Sequence, residues 1–207
     1  MVETAASLAE VGAGRRERSK AANRQAILDA AKRVFAQLGY ETASVRDIIR
    51  GTDLASGTFY NYFKSKEEVF EALADDGARR FRPLLRAERE KATSFEDYLR
   101  GAVHAYFSFL VSEHQSGAHP ILARGPHVRA NTPETIAVYE EVREGVADAI
   151  ARGLAPPVDP DFLASACIGV AQEVGDVMLK SNAPDIEAAA QFVIDFILGG
   201  ATKAASR

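Results

Sequence analysis

Apolar residues recur at intervals of three and four along most of this chain, and that helical spacing limits its fold more than any other feature. The clearest series ends at a glycine suited to a helix C-terminus: Ile27, Ala31, Val34, Phe35, Leu38 and Gly39. No segment shows the strict alternation of apolar and polar residues that a half-buried strand requires. The sequence therefore predicts an all-α protein with about nine helices.

Two short helices follow this first one. Ser44 and Asp47 form a capping pair at the start of the second helix, and a third helix is predicted over residues 56–62 after a tight turn. Two short helices joined by a tight turn and braced by a longer helix make a helix-turn-helix. We predict that this domain covers residues 19–66 and that a mobile basic tail, residues 1–18, precedes it.

Charge is distributed unevenly along the chain. The net charge is -4 over 207 residues. Residues 15–66 nevertheless carry 11 Lys and Arg against 5 Asp and Glu, whereas residues 67–207 carry 14 against 22. A basic N-terminal region followed by an acidic remainder indicates that the N-terminal end binds a polyanion. The alternative is an ordinary fluctuation of composition.

The third helix concentrates hydrogen-bonding side chains in seven positions. Asn61 can pair with an adenine edge, and Thr58 can offer a methyl or a hydroxyl group to a base. Tyrosine hydroxyls suit phosphate oxygens. Phe59 and Phe63, four residues apart, are expected to face the core. This pattern favours a DNA-recognition helix over the alternative, a helical hairpin with a solvated polar face.

Residues 20–73 resemble the DNA-binding domain of TetR-family transcriptional regulators. The resemblance rests on the apolar series of the first helix, the start of the second helix at 44–48, the third helix at 57–63 and the exit at 64–67. The resemblance implies that the third helix enters the major groove. The DNA-binding residues implied are Ser44, Arg46, Ser56, Gly57, Thr58, Tyr60, Asn61, Tyr62, Lys64 and Lys66.

These residues are expected to divide the contacts. Thr58 and Asn61 would lie near base edges, Lys66 would hold a phosphate, and Ser44 and Arg46 would contact the opposite backbone wall. The resemblance also implies a homodimer on a near-palindromic operator and a cavity that takes a small apolar effector. It implies a repressor in the bacterial cytoplasm, associated with the nucleoid through its operator.

The turn between the second and third helices departs from the family pattern. The family usually has small residues and a glycine before the apolar anchor of the turn, whereas this chain has Gly51, Thr52 and Asp53 before Leu54. Aspartate adopts the left-handed conformation more readily than most residues, so Asp53 is a candidate for that conformation. The tail is a second open point: its arginines reach a minor groove, or the tail is plainly disordered.

The remainder, residues 67–207, is predicted to be a helical bundle for ligand binding and dimerisation. Pro83 is expected to kink or split the fourth helix, and residues 114–132 are expected to form an irregular linker. The predicted ligand-pocket residues are Phe70, His104, Phe107, Leu110, Ile121 and Tyr139. The predicted dimer-interface residues are Ala164, Ile168, Ala171, Gly175, Phe192 and Phe196. Packing of these small residues within one subunit is the alternative.

Other classes of protein are disfavoured. Cys167 is the single cysteine, so no intrachain disulfide can form. We find no phosphate-binding loop, nucleophile elbow or paired metal-binding helix, so we predict no enzyme, no cofactor and no metal. No apolar run is long enough for a membrane span. The competing interpretation is a small all-α enzyme or lipid carrier that uses the apolar bundle.

Overall fold

The computed structural model describes residues 3–115 and 131–206, with side chains from residue 16 onward. These residues form eight α-helices and no strand, which confirms the all-α prediction. The helices are α1 (Glu3–Leu38), α2 (Val45–Arg50), α3 (Ser56–Tyr60), α4 (Lys66–Lys91), α5 (Phe95–Gln115), α6 (Pro133–Ala151), α7 (Pro160–Met178) and α8 (Ile186–Ala205). The predicted linker lies mostly outside the described residues.

Helix α1 begins at Glu3, well before the start near residue 20 that the apolar spacing indicated. It ends as predicted, because Gly39 has a φ of 75° and donates its N–H to the carbonyl of Phe35 at 3.0 Å. A positive φ costs glycine little, since it has no Cβ. The chain then turns back across α1 towards α2.

The first hydrophobic core joins α1, α2, α3 and the start of α4. Its largest fully buried side chains are Phe35, Phe59, Phe70, Ile27, Ile48 and Val69. The Tyr40 ring packs against both Phe35 and Phe70, at centroid distances of 5.4 and 5.3 Å. This core buries Ile48 of α2 and Phe59 of α3 in one cluster.

The turn between α2 and α3 forms without any left-handed residue. Gly39 and Gly153 are the only positive-φ residues in the described part of the chain, so the expectation for Asp53 is wrong. The Thr52 hydroxyl stabilises the turn instead: it donates to the carbonyl of Ile49 at 2.8 Å and accepts from the N–H of Leu54 at 3.2 Å. A short hydroxyl side chain can form such a local turn without strain.

The second hydrophobic core is built from α4 to α8. Helix α4 packs against α5 and α6, α5 against α8, α6 against α7, and α7 against α8. Helix α4 is unbroken across Pro83, so the prediction of a split is wrong. Its early residues Val69 and Phe70 lie in the first core, and Phe81 and Leu85 lie in the second. One continuous helix, roughly 39 Å long at 1.5 Å per residue, therefore links the two cores.

Candidate nucleic-acid interface and ligand cavity

Helix α3 presents a polar face to solvent because its two aromatic anchors point inward. Phe59 is 1% exposed and Phe63 is 4% exposed, as their spacing predicted. Tyr60 is 58% exposed, and Asn61, at the C-terminus of α3, is also exposed. A tyrosine ring left so far in water on a well-packed domain is available for a partner.

The remaining predicted DNA-binding residues surround this face. Ser44, Arg46, Ser56, Gly57 and Lys64 are exposed, whereas Thr58, Tyr62 and Lys66 are half-buried. A side chain at Gly57 would meet nothing within 4 Å, so backbone can approach a partner there. None of the ten residues is buried in the core, so each one can be reached from solvent.

Ser44 has a structural task at the start of α2. It forms a complete capping box with Asp47: the N–H of Asp47 donates to the Ser44 hydroxyl at 3.3 Å, and the N–H of Ser44 donates to the Asp47 carboxylate at 3.0 Å. The Ser44 hydroxyl also donates to that carboxylate, and this hydrogen bond is the first cause that holds the pKa of Asp47 below its ordinary value. The sequence predicted this capping pair correctly.

Lys66 holds the loop between α1 and α2. Its ammonium group donates to the carbonyls of Tyr40, Glu41 and Ala43 at 2.9, 3.1 and 3.1 Å. The same group lies 4.6 Å from the centre of the Tyr40 ring. All three ammonium hydrogens therefore have an acceptor in the DNA-free protein, and the phosphate contact suggested for Lys66 stays a prediction.

Replacing Lys66 with methionine is expected to lower the free energy of unfolding by about 2 kcal/mol, because partly buried carbonyls lose a charged donor. Lys64→Met is the matched control, since Lys64 is exposed. The control should change stability by less than about 0.5 kcal/mol. Lys64→Met should nevertheless make operator affinity less sensitive to salt concentration, because about one phosphate contact is lost. Urea denaturation and DNA titration measure the two effects, and equal stability losses would contradict the assignment.

A cavity of about 120 Å³ lies between α4, α5, α6 and α7. Phe81 and Leu85 of α4 form one side of it. The other lining residues are Phe95, Tyr98, Leu99, Ala102, Val103, Tyr106, Val138, Val142, Val146, Cys167, Ile168, Ala171 and Gln172. A mostly apolar hollow with a few polar groups is the usual form of a small-molecule site.

None of the five predicted pocket residues that the structure describes lines this cavity. Phe70 belongs to the first core, and Phe107 and Leu110 are buried beneath Gly175 of α7. His104 faces Glu187 of α8, with 3.6 Å between its Nε2 and the carboxylate. The hydroxyl of Tyr139 forms a hydrogen bond with that of Ser165, and Ile121 lies outside the described residues. The cavity is therefore lined by other residues of α5 than those predicted, and the ligand contacts of the predicted residues stay a prediction.

Comparison with known proteins supports the same interpretation of the N-terminal region. The family model described as bacterial regulatory proteins, tetR family, matches residues 27–73. Residues 27–73 are therefore similar to bacterial regulatory proteins of the tetR family. The match covers the helix-turn-helix and the start of α4, which are the elements that present and brace the exposed face of α3.

A curated relative is the fatty acid metabolism regulator protein of Bacillus subtilis (strain 168). It is 35% identical over 89 residues, which are 42% of this chain and 45% of that protein. The matched stretch therefore spans less than half the length of this relative.

Solved structures resemble the whole fold. The fatty acid degradation regulator FadR from Bacillus halodurans has a TM-score of 0.67 at 26% identity and covers 86% of this chain and 95% of its own. FadR from Bacillus subtilis, solved in complex with stearoyl-CoA, has a TM-score of 0.67 at 20% identity and covers 85% and 98%. The bundle behind the helix-turn-helix is therefore that of the TetR fold.

The outer faces of α7 and α8 carry a patch of exposed apolar side chains. Phe162 is 78% exposed, Val177 65%, Phe192 57% and Phe196 60%. The rings of Phe192 and Phe196 stack on each other with their centroids 6.1 Å apart. A cluster of large apolar side chains in water marks a surface that another molecule covers.

Three of the predicted interface residues face inward instead. Ala164, Ala171 and Gly175 are buried within the subunit. The reason is the close approach of α5 to α7: a methyl group at Gly175 would come within 2.7 Å of Leu110 Cδ1. Ile168 and Ala171 line the cavity. The prediction is therefore wrong for these small residues, whereas Phe192 and Phe196 are exposed as an interface requires.

Ion pairs fasten α4 to its neighbours, and sequence reasoning missed them. Glu113 of α5 is buried and accepts two hydrogen bonds from Arg80, at 2.5 and 2.7 Å. Glu141 of α6 is buried and pairs with Arg86 and Arg89, at 2.8 and 3.0 Å. The available signal was a set of arginines at helical spacing along α4, opposite single glutamates in otherwise apolar stretches.

Asp176 of α7 is half-buried near the cavity. Burial raises the pKa of its carboxyl to about 6, and the charge of Glu173 adds to the effect while Lys180 opposes it. Because the folded state then holds its proton more tightly than the unfolded state, stability falls as pH rises from about 4 to about 6. The penalty persists at neutral pH.

Asp176→Asn is therefore expected to stabilise the protein at pH 7. The full shift would correspond to roughly 3 kcal/mol. Because the group is only half-buried, we expect about 1 kcal/mol after solvent screening. Urea denaturation at pH 4.5 and pH 7 checks this, with the exposed Asp195→Asn as control. A variant that is less stable than the wild type at pH 7 would show that the carboxylate is favourably placed.

Proposed function

We propose that this TetR-family chain is a ligand-responsive transcriptional repressor. It binds a near-palindromic operator as a homodimer and is released by a small apolar effector. The observation that carries the proposal is α3, whose exposed Tyr60 and adjoining Asn61 are fixed in place by the buried Phe59 and Phe63. This is a binding function without turnover, and its place is the bacterial cytoplasm, at the operator on nucleoid DNA.

The DNA contacts divide between two short elements. Thr58 and Asn61 reach base edges in the major groove, where amide and hydroxyl groups distinguish base pairs. Tyr60, Tyr62 and Lys64 reach phosphate oxygens beside them. Ser44, Arg46, Ser56, Gly57 and Lys66 complete the predicted contact surface.

The exposed patch on α7 and α8 supports the homodimer. A two-fold pair places two α3 helices on one side of the assembly, so two half-sites are read one helical turn apart or more. Each subunit contributes the same patch, because a two-fold interface is self-complementary.

Helix α4 couples effector binding in the cavity to the position of α3. The cavity is lined by Phe81 and Leu85, and the same helix inserts Val69 and Phe70 into the first core. A ligand that fits one arrangement of the bundle shifts the equilibrium towards it. Because α4 is continuous, a displacement at Phe81 changes the spacing of the two α3 helices.

The test is fluorescence anisotropy against DNA fragments that flank the protein's own gene, at two salt concentrations. Wild-type protein should bind one fragment tightly and lose affinity steeply as salt rises, because phosphate contacts release counterions. Asn61→Ala should weaken that binding about 10- to 100-fold. The matched control is Asn182→Ala, at an exposed position between α7 and α8. Equal affinities of Asn61→Ala and wild type would overturn the role of α3.

A further inference from the structure

The first part of α1 extends beyond the first hydrophobic core. Within residues 16–26 every residue is exposed except Asn23, which is half-buried, and Ile27 is the first buried residue of the helix whose side chain the structure describes. At 1.5 Å per residue this segment is about 16 Å long. It contributes little burial to the fold, so its surface is available to a partner.

One face of this segment is basic. Arg16, Lys20 and Arg24 follow one another at intervals of four residues, which places their side chains within about 80° of one another around the helix axis. Within the described part of the chain, no carboxylate pairs with any of the three. Glu17 is the one acidic residue in the sequence of this segment. We call Arg16, Lys20 and Arg24 the basic stripe.

Arg24 connects the basic stripe to the end of α3. Its guanidinium carbon lies 5.3 Å from the centre of the Phe63 ring, over which the group stacks. Phe63 is 4% exposed, and its N–H donates to the carbonyl of Phe59 at 3.1 Å. In the chain Phe63 lies between Tyr62 and Lys64, two of the proposed phosphate contacts. The stripe therefore begins beside the proposed DNA-binding surface.

The charge and length of the stripe fit the backbone of a nucleic-acid duplex. Arg16 and Arg24 are about 12 Å apart along the helix axis. Each DNA strand presents one phosphate about every 3.4 Å along the duplex, so three or four phosphates of one strand occupy the same length. Lysine and arginine side chains bind such phosphates whatever the base sequence.

We propose that the basic stripe binds backbone phosphates of duplex DNA next to the half-site that α3 reads. This inference rests on the proposed function for the identity of the partner. The stripe adds affinity and salt dependence on any sequence, and the choice of operator is left to Thr58 and Asn61. The DNA-binding surface of each subunit thus extends from α3 along the first part of α1.

The experiment measures DNA affinity by fluorescence anisotropy for wild type and for Arg16→Gln combined with Lys20→Gln. Each protein is titrated on the operator and on a random-sequence duplex of equal length, at two salt concentrations that differ two-fold. Each lost phosphate contact lowers the slope of log affinity against log salt by about 0.9. A dimer loses four contacts, so doubling the salt should cost wild type about ten-fold more affinity than it costs the glutamine variant.

Two matched variants test whether the effect is local and due to charge. Lys91→Gln with Arg152→Gln removes the same charge from exposed positions at the C-terminal ends of α4 and α6, and its salt slope should equal that of wild type because distant surface charges are screened. Arg16→Lys with Lys20→Arg keeps both charges and should also keep the wild-type slope. Circular dichroism should be the same for all, since glutamine, lysine and arginine are good helix formers.

Phosphate ethylation interference locates the contacts on the operator. About two phosphates in each half-site should interfere with binding of wild type and not with binding of the glutamine variant. Equal salt slopes or equal interference patterns for wild type and the glutamine variant would overturn the inference. So would an equal fall in slope in the variant at Lys91 and Arg152, which would indicate a general effect of net charge.

The two proposals fail separately because a phosphate contact does not need an operator. If wild type prefers no fragment but the glutamine variant has the lower salt slope on random-sequence duplex, the stripe binds DNA and the repressor function is wrong. If operator binding is intact and the salt slopes are equal on both duplexes, the inference about the stripe is wrong and recognition by α3 stands.

Discussion

Replacing Phe192 and Phe196 together with glutamate is expected to turn the protein into a monomer. The two rings are 57% and 60% exposed and stack on each other within the patch on α7 and α8. Aromatic anchors at the centre of an interface each contribute roughly 2 kcal/mol or more. Four carboxylates meeting across a two-fold axis would also repel. Because two rings are lost from each subunit, the total is roughly 8 kcal/mol, and the dimer dissociation constant should rise by at least about 100,000-fold.

Light scattering after size-exclusion chromatography measures this change, and operator titration measures its consequence. A monomer reads only one half-site, so operator affinity should fall with the dimer. The matched control changes two other exposed apolar residues, Leu84→Glu with Ile136→Glu, which lie on α4 and α6. Circular dichroism should show both double variants folded. A variant at Phe192 and Phe196 that remains dimeric would place the interface elsewhere.

Glu141→Gln should lower the free energy of unfolding by about 2 kcal/mol, since a buried carboxylate that accepts charged hydrogen bonds is replaced by a neutral amide. Glu141 is 4% exposed and joins α6 to Arg86 and Arg89 of α4. Burial opposes its charge, but the hydrogen bond from Arg86 and the charges of Arg89 and Arg86 outweigh burial and hold its pKa below the ordinary 4.5.

The sign of the pH dependence follows from that lowered pKa. The stabilisation by Glu141 is fully present above pH 4.5 and is lost as pH falls through the folded-state pKa. Glu141→Gln should therefore differ from wild type at pH 7 and approach it in acid. Glu144→Gln is the matched control, because Glu144 also pairs with Arg89 but is 62% exposed. Equal losses in the two variants would show that burial of Glu141 has no consequence.

Sequence reasoning succeeded where the determinants are local. The Ser44–Asp47 cap and the inward spacing of Phe59 and Phe63 depend on residues within one or two turns. So does the end of α1 at Gly39. Such features follow from backbone geometry and side-chain periodicity, and no distant contact overrides them. The polar face of α3 was predictable for the same reason.

Sequence reasoning was wrong where either of two helices could pack against the same residue. Small residues on α7 suit any close approach, and the sequence does not say whether the close neighbour is a second subunit or α5. Leu110 decided this for Gly175. In the same way, an apolar helix such as α5 offers several faces to a cavity, and the packing of α4, α6 and α7 selects one.

The sequence by itself determined the all-α class, the α2–α3 motif and the resemblance of residues 27–73 to tetR-family regulators, because each depends on neighbouring residues. Only the tertiary structure decided the partners of the charges and the position of the cavity. Lys66 holds carbonyls 23 to 26 residues away, and Arg86 reaches Glu141 across 55 residues. These contacts arise from helix packing, which depends on side chains from all the helices together and is not encoded by any single segment of the chain.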